Sequence, residues 1–461
     1  MHYWTGIEQA PRDCKQSKKP RFRIRAASKE KHRADPSKSS SFRPALAFAL
    51  VLIVFGGGVL VGRSHDRFVS QAPPKDLGAN FEPFWETWNL VEKHYFGRND
   101  IDRQQLTRGA IRGLLDSLGD LEHTHFQTKE EFAHYVKFMN GEAHGIGVRL
   151  KISNRQPRVL ETLAGSPARA AGIQVGDVLT EIDGADCTGL SLGRVLALIR
   201  GGSAESLVHL RIRRAGEENL LDFQVHRAKE NMAPVVWQMV PGKLVMHLSI
   251  RHFDKKTHSM VRSALHDAEL QHAKGVILDL RNCPGGLVDE AMAVTSEFLK
   301  EGNIVIEQNA EGKQTPVPVS PGGVATKLPI CVLINDRTCS CAEVTAAAIK
   351  DHGRGPVIGT RTAGMGTMLH PFEMSDGSVV FLAVAEWVTP NGHRLWHQGV
   401  APTFEVQLPE DVDALLPRAE KYLRPETFAK LKDRQLKKAL GIFLQRQELV
   451  ARSTSASGVA E

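Results

Sequence analysis

Ser340 stands where an apolar run gives way to an alanine-rich stretch, and this position suits covalent chemistry. The run Pro329–Asn335 predicts a buried strand, and the stretch from Glu343 to Gly353 predicts a helix that ends at the glycine. Unpaired N–H groups and the positive end of the helix dipole gather at a helix N-terminus. A serine there can act as a nucleophile beside a developing oxyanion, although it can also simply cap the helix.

His123 and His125 are further side chains whose type could do chemistry, because histidine is a common metal ligand. They lie in the segment Asp120–Phe126, between two predicted helices. Carboxylate or cysteine ligands at metal-binding spacing are not found beside them. We therefore expect no metal and no other cofactor.

The elements that must position these residues fall into segments of different periodicity. Residues 81–138 predict a helical N-terminal segment, whose regularly spaced aromatic residues are expected in the core. Residues 139–227 form a β-rich unit, and residues 232–408 alternate strands with helices, which predicts a mainly parallel, helix-covered sheet. Residues 409–461 predict C-terminal helices and a frayed tail. The predicted fold class is an α/β core with a β-rich domain and a helical N-terminal segment.

The positive charge of the chain is confined to its N-terminal end. The 461 residues carry a net charge of +7, while residues 1–43 alone hold 12 Lys/Arg and 4 Asp/Glu. The remainder is therefore close to neutral. We expect this basic tail to be disordered and expect no nucleic-acid partner for the folded part.

An uncharged stretch, residues 44–62, follows the basic tail. Its length matches the roughly 20 residues that cross a bilayer as a helix. A cleaved signal peptide would have a shorter basic segment and a clear small-residue cleavage site, so a single membrane anchor is favoured. Because positive residues stay on the cytoplasmic side, we expect the folded part, beyond a linker over 63–80, on the periplasmic or extracellular side of the inner membrane.

Residues 139–227 resemble a PDZ domain through GSPA at 165–168, GDVL at 176–179 and IDG at 182–184. A glycine-flexible turn before these motifs can aim several backbone N–H groups at the terminal carboxylate of a peptide. The adjoining strand edge can accept that peptide as an added strand. The sequence thus predicts that C-terminal peptides bind at Gly145, Ile146, Gly147 and Val148.

The whole order of parts resembles the C-terminal processing peptidases, also called tail-specific proteases, over roughly residues 81–408. The motifs that carry the resemblance are LGDLEHTHF at 118–126, the PDZ motifs, LRNCPGGL at 280–287, TCSCAE at 338–343 and the block 366–406. The resemblance implies a serine-type endopeptidase with an inserted PDZ domain. Its implied partners are unfolded or tailed protein substrates, and an assembly of several copies of the chain is left open.

The resemblance also implies roles for individual residues. The family's serine motif supplies the nucleophile at the position of Ser340. Its glycine loop, which helps to build the oxyanion hole, corresponds to Gly285 and Gly286, where missing side chains let N–H groups approach a carbonyl. The N–H of Cys341 is the implied second donor.

The resemblance fails at the general base. The family uses a lysine that takes the proton of the serine, and a glutamine orients that lysine. Here Met365 occupies the lysine position and Leu369 the glutamine position, and neither accepts a proton. The even spacing of the two residues predicts that they share one face of a strand.

Three explanations of this substitution stay open. Another base could serve Ser340: Lys350 is too far along the helix, His370 is predicted on the strand face opposite Met365, and the positions of His252, His393 and His397 cannot be deduced. Catalysis could instead have been lost, which would leave a PDZ-bearing peptide-binding protein.

The third explanation makes a cysteine the nucleophile. Cys339 or Cys341 could serve, because a helix N-terminus lowers the pKa of a thiol. Cys283 is expected close to both, where a disulfide could narrow the cleft. The main interpretation remains a serine-type peptidase that uses Ser340 and a non-standard base.

Overall fold

The computed structural model describes residues 78–457, apart from 121–122, 143, 164, 191, 202–204, 230–232, 410–411, 413 and 418–429. The basic tail over 1–43, the uncharged stretch over 44–62 and most of the linker over 63–80 lie outside the described residues. Within the described part, no helix combines the length and apolar character that a membrane crossing requires.

The N-terminal segment is mainly helical, and its elements are α1 (Gly78–His94), a 3₁₀ turn (Arg98–Asp100), α2 (Arg103–Asp116), β1 (His125–Gln127) and α3 (Lys129–Met139). The sequence predicts the aromatic residues of α1 in a core. That prediction is wrong for Phe81 and Trp85, and also for Tyr95 directly after the helix, which expose 45%, 57% and 58% of their surface. The rings of α1 contact one another instead, with 5.1 Å between the centroids of Phe84 and Trp85.

The β-rich domain contains β2 (His144–Gly145), β3 (Val148–Ser153), β4 (Gln156–Thr162), α4 (Pro167–Ala170), β5 (Val178–Ile182), β6 (Ala185–Asp186), α5 (Leu192–Arg200), β7 (Leu207–Arg213), β8 (Leu221–His226) and β9 (Ala228–Lys229). Its six-stranded sheet has the order β3-β4-β5-β7-β8, with β6 beside β5. Val195 and Ile199 of α5 are buried in its core. Among the described residues β3 pairs with β4 alone, so its other edge is the end of this sheet.

The central sheet of the core has six strands in the order β10-β11-β12-β15-β16-β19, and all pairs except β10–β11 are parallel. Alternate residues of one strand pack on opposite faces. Val276 and Leu278 face one hydrophobic cluster, while Ile277 faces another. The elements are β10 (Val235–Met239), β11 (Val245–Ile250), α6 (Thr257–Leu270), β12 (Gly275–Asp279), α7 (Val288–Ser296), β15 (Ile330–Ile334), α8 (Cys341–Asp351), β16 (Val357–Gly359) and β19 (Phe404–Glu405).

Helices cover both faces of this sheet. Helices α6, α7 and α8 contribute to the cluster on one face. On the other face lies α9 (Arg434–Ser457), which buries Leu436, Leu440 and Phe443. The sequence-based prediction of a helix-covered, mainly parallel sheet is therefore confirmed for these strands.

A second, antiparallel sheet of five strands was not anticipated. Its elements are β1, β13 (Asn303–Asn309), β14 (Gln314–Pro318), β17 (Thr367–Glu373) and β18 (Val379–Val388). Strand β14 contains two prolines, Pro316 and Pro318. As the outer strand of this sheet, β14 tolerates both prolines, since one of its edges needs no N–H donors.

Candidate active site

Ser340 connects β15 to α8 in a backbone conformation that few residues other than glycine adopt, with φ 57° and ψ −132°. Such a conformation costs on the order of 1–3 kcal/mol and persists only where the surroundings impose it. The N–H of Glu343 donates to the main-chain carbonyl of Ser340 at 2.8 Å. The main-chain carbonyl of Ser340 therefore accepts the hydrogen bond that the hydroxyl of a helix-capping serine would usually accept.

The buried carboxylate of Glu343 holds this turn against a second segment of the site. One of its oxygens accepts hydrogen bonds from the N–H groups of Ser340 and Met365, each at 2.9 Å. The other accepts from the hydroxyl of Thr362 and from the N–H of Gly364. Burial raises the pKa of Glu343, although these four donors favour its charged form. Ser340 and the Met365 position are thus anchored to one side chain.

The glycine loop lies directly against Ser340. A Cβ atom on Gly285 would be 2.8 Å from Cβ and 3.2 Å from Oγ of Ser340, and one on Gly286 would be 2.2 Å from the carbonyl oxygen of Phe253. The N–H of Cys339 donates to the carbonyl of Cys283 at 2.9 Å. The structure therefore places Gly285, one of the predicted oxyanion-hole residues, against the predicted nucleophile. The other two, Gly286 and Cys341, directly follow Gly285 and Ser340 in the chain.

A buried charged network anchors the start of the glycine loop. The guanidinium of Arg281 donates to Asp279 at 2.7 Å and to Asp433 at 2.8 Å, and His247 lies 3.0 Å from Asp279. Burial alone would raise the pKa of Asp279, but Arg281 and His247 hold it well below its usual range. Because Asp433 directly precedes α9, this network connects the loop to the C-terminal helix.

The geometry of Met365 and Leu369, the two residues predicted at the base and orienting positions, differs from the prediction. Strand β17 begins at Thr367, after Met365, and its pairing with β18 shifts register between Met368 and Leu369. Such an irregularity breaks the alternation of side chains. A shared strand face therefore does not follow from the spacing of Met365 and Leu369, and that prediction is corrected.

The cysteines around Ser340 are all free thiols. Burial raises the pKa of Cys283 and of Cys339 to about 12, and it raises that of Cys341 well above its usual value. The sequence-based argument for a thiolate nucleophile assumed the opposite direction. It fails because desolvation of the thiols outweighs the helix N-terminus.

The predicted peptide-binding turn lies at the start of the edge strand β3. Ile146 is fully buried, and its carbonyl accepts a hydrogen bond from the N–H of Ala168 at 3.0 Å. Gly147 is in close contact with Ser166, where a Cβ would come within 2.4 Å of the serine Cβ. Of the four predicted residues, Val148 is therefore the one that begins the open edge to which a peptide strand could add.

Arg149, the next residue of this edge strand, connects the β-rich domain to the glycine loop. Its guanidinium donates to the carbonyl of Asn282 and lies 3.7 Å from Glu161 of β4. The motif analysis does not reveal this contact, because the two residues are far apart in the sequence and only the docking of the domains joins them.

The histidines considered as replacement bases have different surroundings. His252 is buried 3.5 Å from Asp254, and His370 contacts the ring of Phe372 at a centroid distance of 4.7 Å. The main-chain N–H of His397 donates to the main-chain carbonyl of Gly364. The side chain of His393 is exposed. Lys350 donates to the carbonyl of Ala401.

His123, which the sequence analysis weighed only as a metal ligand, reaches the base segment instead. Its Nδ1 lies 2.7 Å from Oγ1 of Thr367, the first residue of β17. Burial lowers the pKa of His123 to about 4, so the imidazole is neutral at pH 7. The motif LGDLEHTHF could have drawn attention to this residue, but its partner lies 244 positions along the chain.

Comparisons with known proteins identify the family and the two domains of this chain. The profile of Peptidase family S41 matches residues 245–406, and that of the PDZ domain matches residues 158–214. The carboxyl-terminal-processing protease of Synechocystis sp. is 34% identical over 70% of this chain and 76% of its own length. The carboxy-terminal processing protease CtpA of Bacillus subtilis is 30% identical over 79% of this chain and 75% of its own. The solved photosystem II D1 C-terminal processing protease aligns with a TM-score of 0.53 at 28% identity, covering 72% of this chain and 89% of that one.

The fold and these matches define the class of protein: a serine-type peptidase that carries a PDZ domain. Within that class, the chain belongs to the family of carboxyl-terminal processing proteases. The predicted family, fold class and enzyme type are thereby confirmed. The alternative of an inactive peptide-binding protein is not favoured, because the matched relatives are proteases by name.

Proposed function

We propose that this peptidase uses Ser340 to cleave unfolded or tailed proteins outside the cytoplasm, while its PDZ domain holds their C-terminal ends. The observation that carries the proposal is the strained serine at the start of α8, in contact with Gly285. Oγ of Ser340 would attack the scissile carbonyl carbon and form an acyl-enzyme that water then hydrolyses.

The proposed oxyanion hole is built from the backbone. As Oγ of Ser340 bonds to the carbonyl carbon, negative charge develops on the carbonyl oxygen. The N–H groups of Gly285, Gly286 and Cys341 would donate to that oxygen, and the N-terminus of α8 adds a favourable dipole. Because neither glycine carries a side chain, the substrate carbonyl can approach these N–H groups closely.

Substrate capture is assigned to the PDZ domain. The open edge of β3 offers backbone groups to an extended peptide, and the turn over Gly145–Val148 precedes it. A carboxylate at the end of the peptide would be held by N–H groups of this turn. A free-acid peptide should therefore bind more tightly than the same peptide with a C-terminal amide, as measured by titration calorimetry, and equal affinities would refute the carboxylate role.

The extracytoplasmic location is part of the proposal and is supported by the uncharged stretch over 44–62 and the basic tail before it. One span would keep the tail in the cytoplasm and the peptidase on the other side of the inner membrane. Added protease should digest residues 232–408 in spheroplasts. Protection of this core, while a periplasmic control protein is digested, would contradict the topology.

Cleavage of an unfolded tailed substrate by purified residues 63–461 tests the peptidase function. We expect Ser340→Ala to abolish cleavage, because no other side chain replaces the attacking oxygen. Cys339→Ala and Cys341→Ala serve as matched controls on either side of the serine and should retain cleavage. Loss in a cysteine variant alone would move the nucleophile to that thiol. No cleavage by the native protein, with a gain in Met365→Lys, would mean a binding protein on an intact scaffold.

A further inference from the structure

Two segments must keep a fixed position relative to each other for the proposed chemistry: the glycine loop and the turn that leads to Ser340. The hydroxyl of Thr338 donates to the carbonyl of Leu280 at 2.8 Å. The N–H of Cys339 donates to the carbonyl of Cys283 at 2.9 Å. Because a misplacement of about 1 Å at a catalytic group can cost about 10²-fold in rate, the contacts that join these segments bear on catalysis.

A pair of asparagine side chains joins the same two segments between these contacts. Oδ1 of Asn335 accepts the main-chain N–H of Asn282 at 2.9 Å, and Nδ2 of Asn335 donates to Oδ1 of Asn282 at 2.9 Å. The same Oδ1 also accepts the N–H of Arg337 at 3.2 Å. Since two N–H groups point at this oxygen, the orientation of the Asn335 amide is fixed, with its nitrogen toward Asn282.

The backbone of Asn282 explains why the pair is needed. Its φ is 57°, in the left-handed region that asparagine tolerates better than most residues with a side chain. This conformation sets the direction in which the chain continues to Gly285 and Gly286. The two hydrogen bonds from Asn335 hold Asn282 in it, so they act on the glycine loop at its entrance.

We propose that Asn335 is a positioning residue of the peptidase, which fixes Asn282 and thereby sets the oxyanion-hole glycines against Ser340. The assignment rests on the proposed peptidase function. Because the oxyanion exists only in the transition state and the tetrahedral intermediate, a displaced loop should lower kcat and leave the affinity for substrate nearly unchanged.

Replacement by aspartate separates hydrogen bonding from packing. In Asn335→Asp a carboxylate oxygen still accepts both N–H groups, and the amide of Asn282 can turn so that its nitrogen donates to the new carboxylate. Among the described residues that nitrogen has no other hydrogen-bond partner. In Asn282→Asp a carboxylate oxygen still accepts from Nδ2 of Asn335. The double variant has two carboxylates and no donor between them, so it alone should break the pair.

Steady-state kinetics on the tailed substrate test the assignment. Loss of an oxyanion donor costs about 10²–10³-fold in kcat, and Asn335→Leu should approach that loss with KM within about threefold of the native value. Asn309→Leu is the matched control, because Oδ1 of this partly buried asparagine accepts the N–H of Lys313 at 2.8 Å in the turn between β13 and β14. It should leave kcat unchanged.

The two single aspartate variants should keep kcat within about tenfold of the native value, and their double variant should lose as much as Asn335→Leu. Acidification should restore the double variant relative to the native protein, because one carboxyl group then carries a proton and donates to the other. The charged side chains beside this pair are Arg149, which donates to the carbonyl of Asn282, and Asp336 and Arg337, which follow Asn335.

The outcomes separate this assignment from the peptidase function. If Asn335→Leu cleaves within about twofold of the native protein, or if the double aspartate variant loses no more than its two single variants together, the positioning role is wrong while the peptidase function stands. Where urea unfolding shows that Asn335→Leu does not fold, the aspartate variants decide, and recovery on acidification shows that the double variant is folded. If the native protein never cleaves, the peptidase function fails and the positioning role fails with it.

Discussion

The two sides of the candidate active site, the nucleophile side and the base side, differ in the kind of residue that they contain. The nucleophile side, residues 280–287 and 338–343, keeps a serine, two glycines and a helix start. The base side, residues 362–370, keeps its glycines but carries Met365 and Leu369 instead of a proton acceptor and its orienting partner. The nucleophile side is built from backbone geometry, which tolerates varied side chains, whereas the base side depends on one functional group.

Glu343 explains how the two sides stay together. It accepts hydrogen bonds from Ser340 on one side and from Thr362, Gly364 and Met365 on the other. The segment around Met365 is therefore held beside Ser340 by backbone groups and does not need a functional side chain at position 365. The N-terminal segment also reaches this part of the site, because Nδ1 of His123 lies 2.7 Å from Oγ1 of Thr367.

The largest expected effect comes from the backbone of the nucleophile side. A side chain on Gly286 would meet the carbonyl of Phe253 at 2.2 Å, so Gly286→Ala must displace the loop. Loss of an oxyanion donor costs about 10²–10³-fold in kcat, and we expect Gly286→Ala to show at least that loss in steady-state kinetics. Gly312→Ala is the control, because that glycine also has a positive φ but open space around it. Equal kinetics for both variants would contradict the backbone account.

A smaller effect is expected where the PDZ domain meets the same loop. Arg149→Ala removes a charged hydrogen bond to the carbonyl of Asn282. Such a bond is worth about 1.5–3 kcal/mol, so kcat/KM should fall about 10- to 100-fold. Arg158→Ala removes a similar bond that lies within the PDZ domain, to the carbonyl of Gly176, and should leave kcat/KM nearly unchanged. If kcat/KM falls only in Arg158→Ala, the contact of Arg149 with the glycine loop does not support catalysis.

The burial of His123 against Thr367 of the base side should affect the pH dependence of stability. The folded-state pKa of His123 is about 4, below its ordinary value of 6.5. The unfolded chain therefore binds this proton more tightly, and the group makes the protein less stable as the pH falls from about 6.5 to about 4. Between pH 7 and about pH 5, urea unfolding should show about 2 kcal/mol more loss for the native protein than for His123→Gln. A constant difference between the two proteins would refute the burial of a neutral imidazole.

The smallest effect is expected at Met365, which the sequence resemblance predicts at the position of the family's base. Met365→Leu keeps an apolar side chain of similar size and the N–H that donates to Glu343. Volume-conserving apolar exchanges usually cost less than about 1.5 kcal/mol, so stability should change little. Because the methionine takes no proton, kcat/KM should stay within about twofold. A large loss would mean that the thioether of Met365 takes part in the chemistry.

The sequence predicts the features that are local and fails where distant segments meet. The strand, turn and helix around Ser340 follow from an apolar run, a turn and an alanine-rich stretch, and the structure reproduces them. The antiparallel sheet is missed because β1, β13 and β18 are paired only by the tertiary fold. The contact of His123 with Thr367 is missed for the same reason.

Other incorrect predictions from the sequence have local physical causes. The aromatic residues of α1 follow helical spacing, but spacing does not reveal whether a second element covers them. The irregularity between Met368 and Leu369 invalidates a side-chain alternation that holds only in a regular strand. The thiol pKa values of Cys339 and Cys341 depend on burial, which the sequence does not give.

Covalent labelling of the native protein tests the central claim, an active Ser340 without a lysine at position 365, most directly. A fluorophosphonate reacts only with an activated serine, and intact-mass measurement followed by peptide mapping locates the adduct. We predict one adduct per chain, on Ser340, which is absent in Ser340→Ala and retained in Cys339→Ala and Cys341→Ala. An unlabelled native protein, with labelling restored in Met365→Lys, would contradict the account.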